Sequence, residues 1–277
     1  MKCVILDFDG TFTDAEAEGA PFASAFKAGI FDLVGRDISS EWDGMRREIE
    51  GAPSRFGWVF DGNIVAPALA DPYILSTTIA QGVLDRVGVL KNPEHRNAVI
   101  QGIYHWAYGK TGSVFREEAR EVLERVLAKE LRTYCITNAS TEGVVKKLEM
   151  LIPGVVSEKR ITIFGAAQKF WIGAPQNPDA RWERLPNEYR VAGLERPIHV
   201  RRGRYFDALQ KVLSEGGAEP REVIVCGDIF ELDLSLPVNL GMQAHLVKGK
   251  TTPDYELAEV ARLSQSSGRL KALLDRL

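Results

Sequence analysis

Val4-Ile5-Leu6-Asp7-Phe8-Asp9-Gly10-Thr11-Phe12-Thr13-Asp14 is the stretch on which the fold turns. Residues 1–6 are short, mainly apolar and partly β-branched, which reads as a strand covered on both faces in the interior of a parallel sheet. Asp7 and Asp9 follow at once. They therefore stand at the carboxyl end of that strand, the end at which open α/β sheets bind their ligands.

Two further segments repeat the arrangement. Leu131–Ile136 is an apolar run that ends on Thr137-Asn138, and Val223–Cys226 runs into Gly227-Asp228, with Asp233 five residues on. An aspartate after a strand commonly caps a turn or helix, so any one of these is explained without a site. Three together, each behind a mainly apolar run, are harder to read as caps. Helical patterns lie between the strands: Phe115, Ala119, Val122, Leu123, Val126 and Leu127 mark one face, and further helices are predicted from Thr141 and over Arg204–Leu213. Lesser strands are predicted at Ile161–Phe164 and Ala244–Val247, and two short helices close the chain at Leu277. This alternation specifies an α/β fold with a doubly wound, mostly parallel sheet. The stretch after Phe164, rich in Trp, Pro and Asn, has no assignable pattern.

Between the first strand and residue 110 only helical signals stand out. Phe22, Phe26 and Ile30 recur every four residues, and Trp42, Met45 and Ile49 repeat at three and four behind the cap candidates Ser39 and Ser40. Asp71-Pro72 and Asn92-Pro93 each pair an N-cap with a proline of the first turn. The expected organisation is a core of residues 1–14 and 111–277, interrupted by an all-helical module at 15–110.

Composition narrows the function classes. The chain has 277 residues, 45% hydrophobic, and its 35 Lys and Arg stand against 38 Asp and Glu, a net charge of −3. Such a balance offers no general attraction to nucleic acid or to an anionic membrane, so neither is an expected partner. No apolar run approaches the ~18 residues of a membrane span, and the first residues lack the apolar region of a secretory signal; the expected location is the cytoplasm. Cys3, Cys135 and Cys226 each lie in a short apolar run with no CxxC spacing, which reads as three buried strand residues.

Taken in order, Val4–Asp14, Thr133–Asn138 and Val223–Asp233 resemble the first, second and fourth motifs of the haloacid dehalogenase superfamily. The helical module falls where members with the first type of cap carry that cap. The resemblance covers the core, about two-thirds of the chain, and implies a Mg²⁺-dependent phosphohydrolase working through an aspartyl phosphate. Asp7 would be the nucleophile and Asp9 the general acid and base. Asp7, Asp228 and the backbone carbonyl of Asp9 would form the hard oxygen set for Mg²⁺. Thr137, Asn138 and the amides around Phe8, Asn138 and Ala139 would hold the phosphate, with Thr11 and Asp233 in support. Relatives that displace halide, which leaves without a proton, lack the second aspartate, so Asp9 favours phosphoryl transfer over dehalogenation.

The resemblance also implies a cation, usually lysine, ahead of the helix before the fourth motif. No Lys-Pro pair precedes Tyr205-Phe206. Arg202 is the first choice, because a guanidinium holds phosphate bidentately; Arg201, Arg204 and Lys169 are the alternatives. Outside the motifs, His105 and Trp106 read as packed helix residues. Arg46, Arg47 and Arg55 read as a solvated face, and Trp171 and Trp182 either shield the site or pack. The expected partner is a small phosphorylated metabolite. A phosphotransferase or mutase would share every motif, and a catalytically impaired binding protein would share most; natural substrate and oligomeric state leave no mark in the sequence.

Overall fold

The computed structural model describes residues 1–277, which divide into two compact units, Met1–Asp14 with Phe115–Leu277, and Ala15–Val114. The chain opens with β1 (Cys3–Leu6) and leaves the first unit at Asp14. The second unit then folds as α1 (Ala15–Val34), α2 (Ser39–Gly51), β2 (Gly57–Phe60), β3 (Asn63–Pro67), α3 (Pro72–Val87) and α4 (Pro93–Tyr108). Back in the first unit come α5 (Ala119–Leu127), β4 (Arg132–Ile136), α6 (Thr141–Leu151), β5 (Thr162–Phe164), α7 (Ala180–Arg184), β6 (Glu188–Tyr189) and β7 (Ile198–His199). The chain closes with α8 (Gly203–Gly216), β8 (Val223–Gly227), α9 (Ser235–Asn239), β9 (Gln243–Val247), α10 (Asp254–Arg262) and β10 (Ser266–Gly268). No helix is long and apolar enough to cross a membrane.

The first unit is built on a six-stranded sheet, order β10-β9-β8-β1-β4-β5, with every pairing parallel. Strand residues alternate between two cores. Cys3, Ile5, Tyr134, Ile136, Val223 and Val225 face one side, where Tyr205, Phe206, Leu209 and Val212 of α8 cover them. Val4, Leu6, Cys135, Ile224 and Cys226 face the other, beneath Val122, Leu123 and Val126 of α5 and Val144 and Leu148 of α6. Burial on both faces is why these strands read as unbroken apolar runs. Leu6 pairs with Cys135 on one side and with Cys226 on the other. Asp7, Thr137 and Asp228 therefore emerge at the same edge of the sheet, on the three central strands.

The second unit has its own core of Phe22, Phe26, Ile30, Trp42, Met45, Ile49, Val83 and Leu84, the residues whose helical spacing predicts α1 and α2. Asp71 accepts from Ile74 N at 2.7 Å and Asn92 from His95 N at 3.0 Å, each capping its helix. Four expectations need correction. The unit is not all-helical, because Gly57–Pro67 forms an antiparallel hairpin. Its turn places Asp61 and Gly62 at φ 48° and 75°, the conformation that favours Asp-Gly in two-residue turns, and the Gln81 side chain bonds both backbone groups of Val59. The unit also ends at Val114, four residues beyond the expected 110. Ser39 does not cap α2 with its side chain; the Asp37 carboxylate accepts from Ser39 N instead. His105 and Trp106 are both exposed, contrary to the packed reading.

Candidate active site

Asp7 follows the last residue of β1, and its N–H makes a sheet-like bond to Cys226 O at 2.8 Å. The carboxylate is buried. Its Oδ1 accepts from Lys169 Nζ at 2.6 Å, and the same ammonium donates to Asp233 Oδ1 at 2.6 Å. Burial pushes the Asp7 carboxyl up to about 7, against the pull of Lys169 and with the push of Asp233. Lys169 is as thoroughly buried. Burial alone would lower its pKa, but Asp233 and Asp7 outweigh that and hold it well above the ordinary lysine value. One ammonium between two carboxylates therefore stays charged.

The other oxygen of Asp7 faces Thr11. The Thr11 hydroxyl lies 3.1 Å from Asp7 Oδ2 and 3.2 Å from Asp228 Oδ1, so its one proton serves either carboxylate. Ligand oxygens of Asp7, Asp228 and Asp233 all lie within 4.8 Å of one another. Four carboxylates, these three and Asp9, gather near two lysines, Lys169 and Lys147. An all-oxygen donor set with excess negative charge fits a hard divalent cation such as Mg²⁺. Asp233 differs from the other two, because its Oδ2 accepts from Ile229 N at 3.0 Å while Oδ1 holds Lys169.

The turn that carries these groups is closed locally. Phe12 N bonds Phe8 O, Gly10 N bonds Thr13 Oγ1, and Arg116 places Nε and Nη2 on Gly10 O at 3.0 and 2.6 Å. Gly10 sits at φ 82°, and a Cβ there would lie 2.1 Å from Asp228 Oδ2. Only glycine accepts both that dihedral and that approach.

One sequence expectation does not survive. Arg202 does not reach the site: it is fully buried, paired with Glu231 at 3.5 Å, and bonded through Nη1 to Lys169 O and through Nε to His199 O. Arg201 bonds Leu185 O, and Arg204 lies over the Trp171 ring. Lys169 is the cation at Asp7. It sits well ahead of α8 because residues 174–201 intervene, closed at their neck by the Gly173–Arg202 bridge and by Gly203 N on Gly173 O at 3.0 Å. Asn138 Oδ1 accepts from Lys169 N at 2.7 Å, a bond that does not use the Nδ2 hydrogens, the donors a phosphate oxygen would accept from. Ala139 N donates to Thr137 Oγ1 at 3.2 Å. Thr137 itself is buried at the end of β4.

Two residues escaped sequence reasoning. Lys147 Nζ stands 2.7 Å from Asp9 Oδ1, and Arg116 clamps the turn. Both belong to charged helical contexts that look solvated in a single sequence.

No family model and no curated protein matches this sequence. Solved structures do match over nearly the whole length. A provisionally designated phosphoglycolate phosphatase of Haemophilus somnus is 14% identical with a TM-score of 0.56, covering 99% of this chain and 97% of its own. A provisionally designated β-phosphoglucomutase of Thermotoga maritima is also 14% identical, with a TM-score of 0.54 and the same coverage. A provisionally designated HAD hydrolase of Bacillus subtilis, solved with magnesium bound, is 12% identical with a TM-score of 0.54, covering 100% of this chain and 98% of its own. Likeness at this identity is likeness of fold. The chain has the fold of the haloacid dehalogenase superfamily.

Proposed function

We propose that this chain is a Mg²⁺-dependent phosphohydrolase acting on a small phosphorylated metabolite through an aspartyl phosphate on Asp7. The observation that carries the reading is the buried Asp7–Lys169–Asp233 cluster with Asp228 alongside. A carboxylate meets a phosphoryl group only where positive charge offsets their repulsion. Lys169 supplies one such charge. Asp7 and Asp228, with the Asp9 carbonyl, are the groups that would hold Mg²⁺, and the ion when bound would draw charge from the phosphoryl oxygens.

In the first step an oxygen of Asp7 bonds to phosphorus as the ester P–O bond breaks, and Asp9 gives its proton to the leaving alkoxide. In the second, water attacks phosphorus, Asp9 takes a proton from it, and the Asp7–phosphorus bond breaks to release inorganic phosphate. Thr137, with its hydroxyl oxygen already accepting from Ala139 N, has its hydrogen to donate to a phosphate oxygen. The N–H groups of Phe8 and Asn138 serve the same end. Residues 15–114 act as the cap that selects the substrate.

Hydrolysis of p-nitrophenyl phosphate and a panel of phosphorylated metabolites, with Mg²⁺ and with EDTA, tests the reading. Asp7→Asn is expected to fall to the blank, and Asp9→Asn to lose about 10²–10⁴-fold on metabolites whose leaving alkoxide needs a proton, and less on p-nitrophenyl phosphate. Undiminished turnover by Asp7→Asn would end it. A phosphotransferase would use the same groups, and is recognised by transfer of phosphate to an added sugar or alcohol in preference to water.

A further inference from the structure

The acidic side chains at the sheet edge are not held alike. Asp7 and Asp233 share Lys169, whereas Asp9 has a cation of its own: Lys147 Nζ lies 2.7 Å from Asp9 Oδ1. The pair joins the turn after β1 to α6 across 138 residues of sequence. Its side chains are only 13% and 33% exposed. The neighbouring lysine on the same helix marks the contrast. Lys146 is 71% exposed and pairs with Glu142, 82% exposed, one turn back, the ordinary surface pair that contributes little. Lys147 instead turns inward across the sheet edge.

We infer that Lys147 is a positioning residue for Asp9: by holding Oδ1 it leaves Oδ2 as the oxygen that exchanges a proton with the leaving group and with water. The inference rests on the proposed hydrolase reading. An aspartate side chain has three staggered χ1 wells, and Asp9 stands on a turn beside Gly10, partly open to solvent. Without an anchor it would distribute among them. Proton transfer needs heavy atoms within about 2.6–3.2 Å, and a displacement of about 1 Å costs on the order of 10²-fold in rate. The partly buried ammonium selects one well.

The consequence depends on how much the leaving group needs its proton. Nitrophenolate leaves readily without one; phenolate, far more basic, does not. Lys147→Met keeps the length of the stem and removes the charge, and Lys147→Arg restores a cation. Steady-state kinetics with Mg²⁺ are compared for p-nitrophenyl phosphate and phenyl phosphate, with thermal melts to establish that each variant is folded. Lys147→Met is expected to lose a few-fold in kcat on p-nitrophenyl phosphate and about 30-fold or more on phenyl phosphate, within the range of a general-acid contribution. KM is expected to change little, and Lys147→Arg to recover most of the loss on phenyl phosphate. Equal losses on the two esters would overturn the inference, as would unchanged kcat on both. A raised KM at constant kcat would also overturn it, by assigning Lys147 to substrate binding. A wild-type chain inert toward both esters would instead remove the hydrolase reading, and this inference with it.

Discussion

At the scale of single residues, Lys169 has the most to answer for. It is the only cation bonded to Asp7 and Asp233, both of them buried. Lys169→Met would leave two carboxylates facing each other without it, and removing one partner of a buried ionic group costs on the order of 3–5 kcal/mol. The variant is expected to lose its activity and to show a lower urea midpoint. The deficit should be larger at pH 8 than at pH 5.5, because protonation relieves the unpaired carboxylates at the lower pH. An unchanged midpoint at both pH values would contradict the ionic account. Asp7, Asp9, Thr137 and Asp228 were legible because each follows an apolar run, a pattern of local origin. Lys169 was not. Its loop holds Ala166 and Gln168 at φ 49° and 45°, a conformation that neither residue type advertises. The helix it was expected to precede begins beyond the intervening residues 174–201.

Elements tell a similar story about what a local pattern can carry. The strands β1, β4, β8 and β9 and the helices α3, α4, α5, α6 and α8 follow from apolar runs, spacing and caps. The hairpin β2–β3 carried an Asp-Gly turn signal between apolar residues, which the helical periodicity on either side outweighed. Strands β6, β7 and β10 are two or three residues long, too short for any period to register. The π-helical turn Phe230–Leu234 after β8 has no sequence pattern. It is held from outside, where Glu256 of α10 accepts from Phe230 N at 3.0 Å. Burial is the main force on that carboxyl and raises it to about 8; the Phe230 N–H opposes the shift and Glu231 and Asp233 reinforce it, with Tyr255 and Arg196 nearby. Between the ordinary glutamate range and about pH 8 the folded chain keeps a proton that the unfolded chain has released. Stability should therefore fall as pH rises through that window and level off above it. Glu256→Gln is expected to flatten this decline in thermal melts between pH 5 and pH 9. A slope identical to wild type would assign the dependence to other groups.

For the whole molecule, the decisive feature is that each unit has apolar clusters of its own. Every residue of the two apolar clusters around the sheet belongs to the first unit, and every residue of the third cluster to the second. Thr13 and Phe115 form an antiparallel bridge, so the chain leaves the first unit and returns to it at neighbouring points. Joining Asp14 to Phe115 through two or three glycines should close a short connection at small entropic cost. The shortened chain is expected to melt cooperatively and to keep Mg²⁺-dependent turnover of p-nitrophenyl phosphate, with less discrimination among phosphorylated metabolites. A chain that binds hydrophobic dye and shows no cooperative melt would mean that the first unit depends on the second. The closed neck of residues 174–201 has a parallel meaning. Asn138 grips the amide of Lys169 and Arg202 its carbonyl, so the ammonium is anchored before the loop departs and again where it returns. Changes of length at the exposed positions of that segment are thereby uncoupled from the charge beside Asp7, while Trp182, Leu185, Val191, Leu194, Ile198 and Val200 tie the rest of it to the core of the sheet.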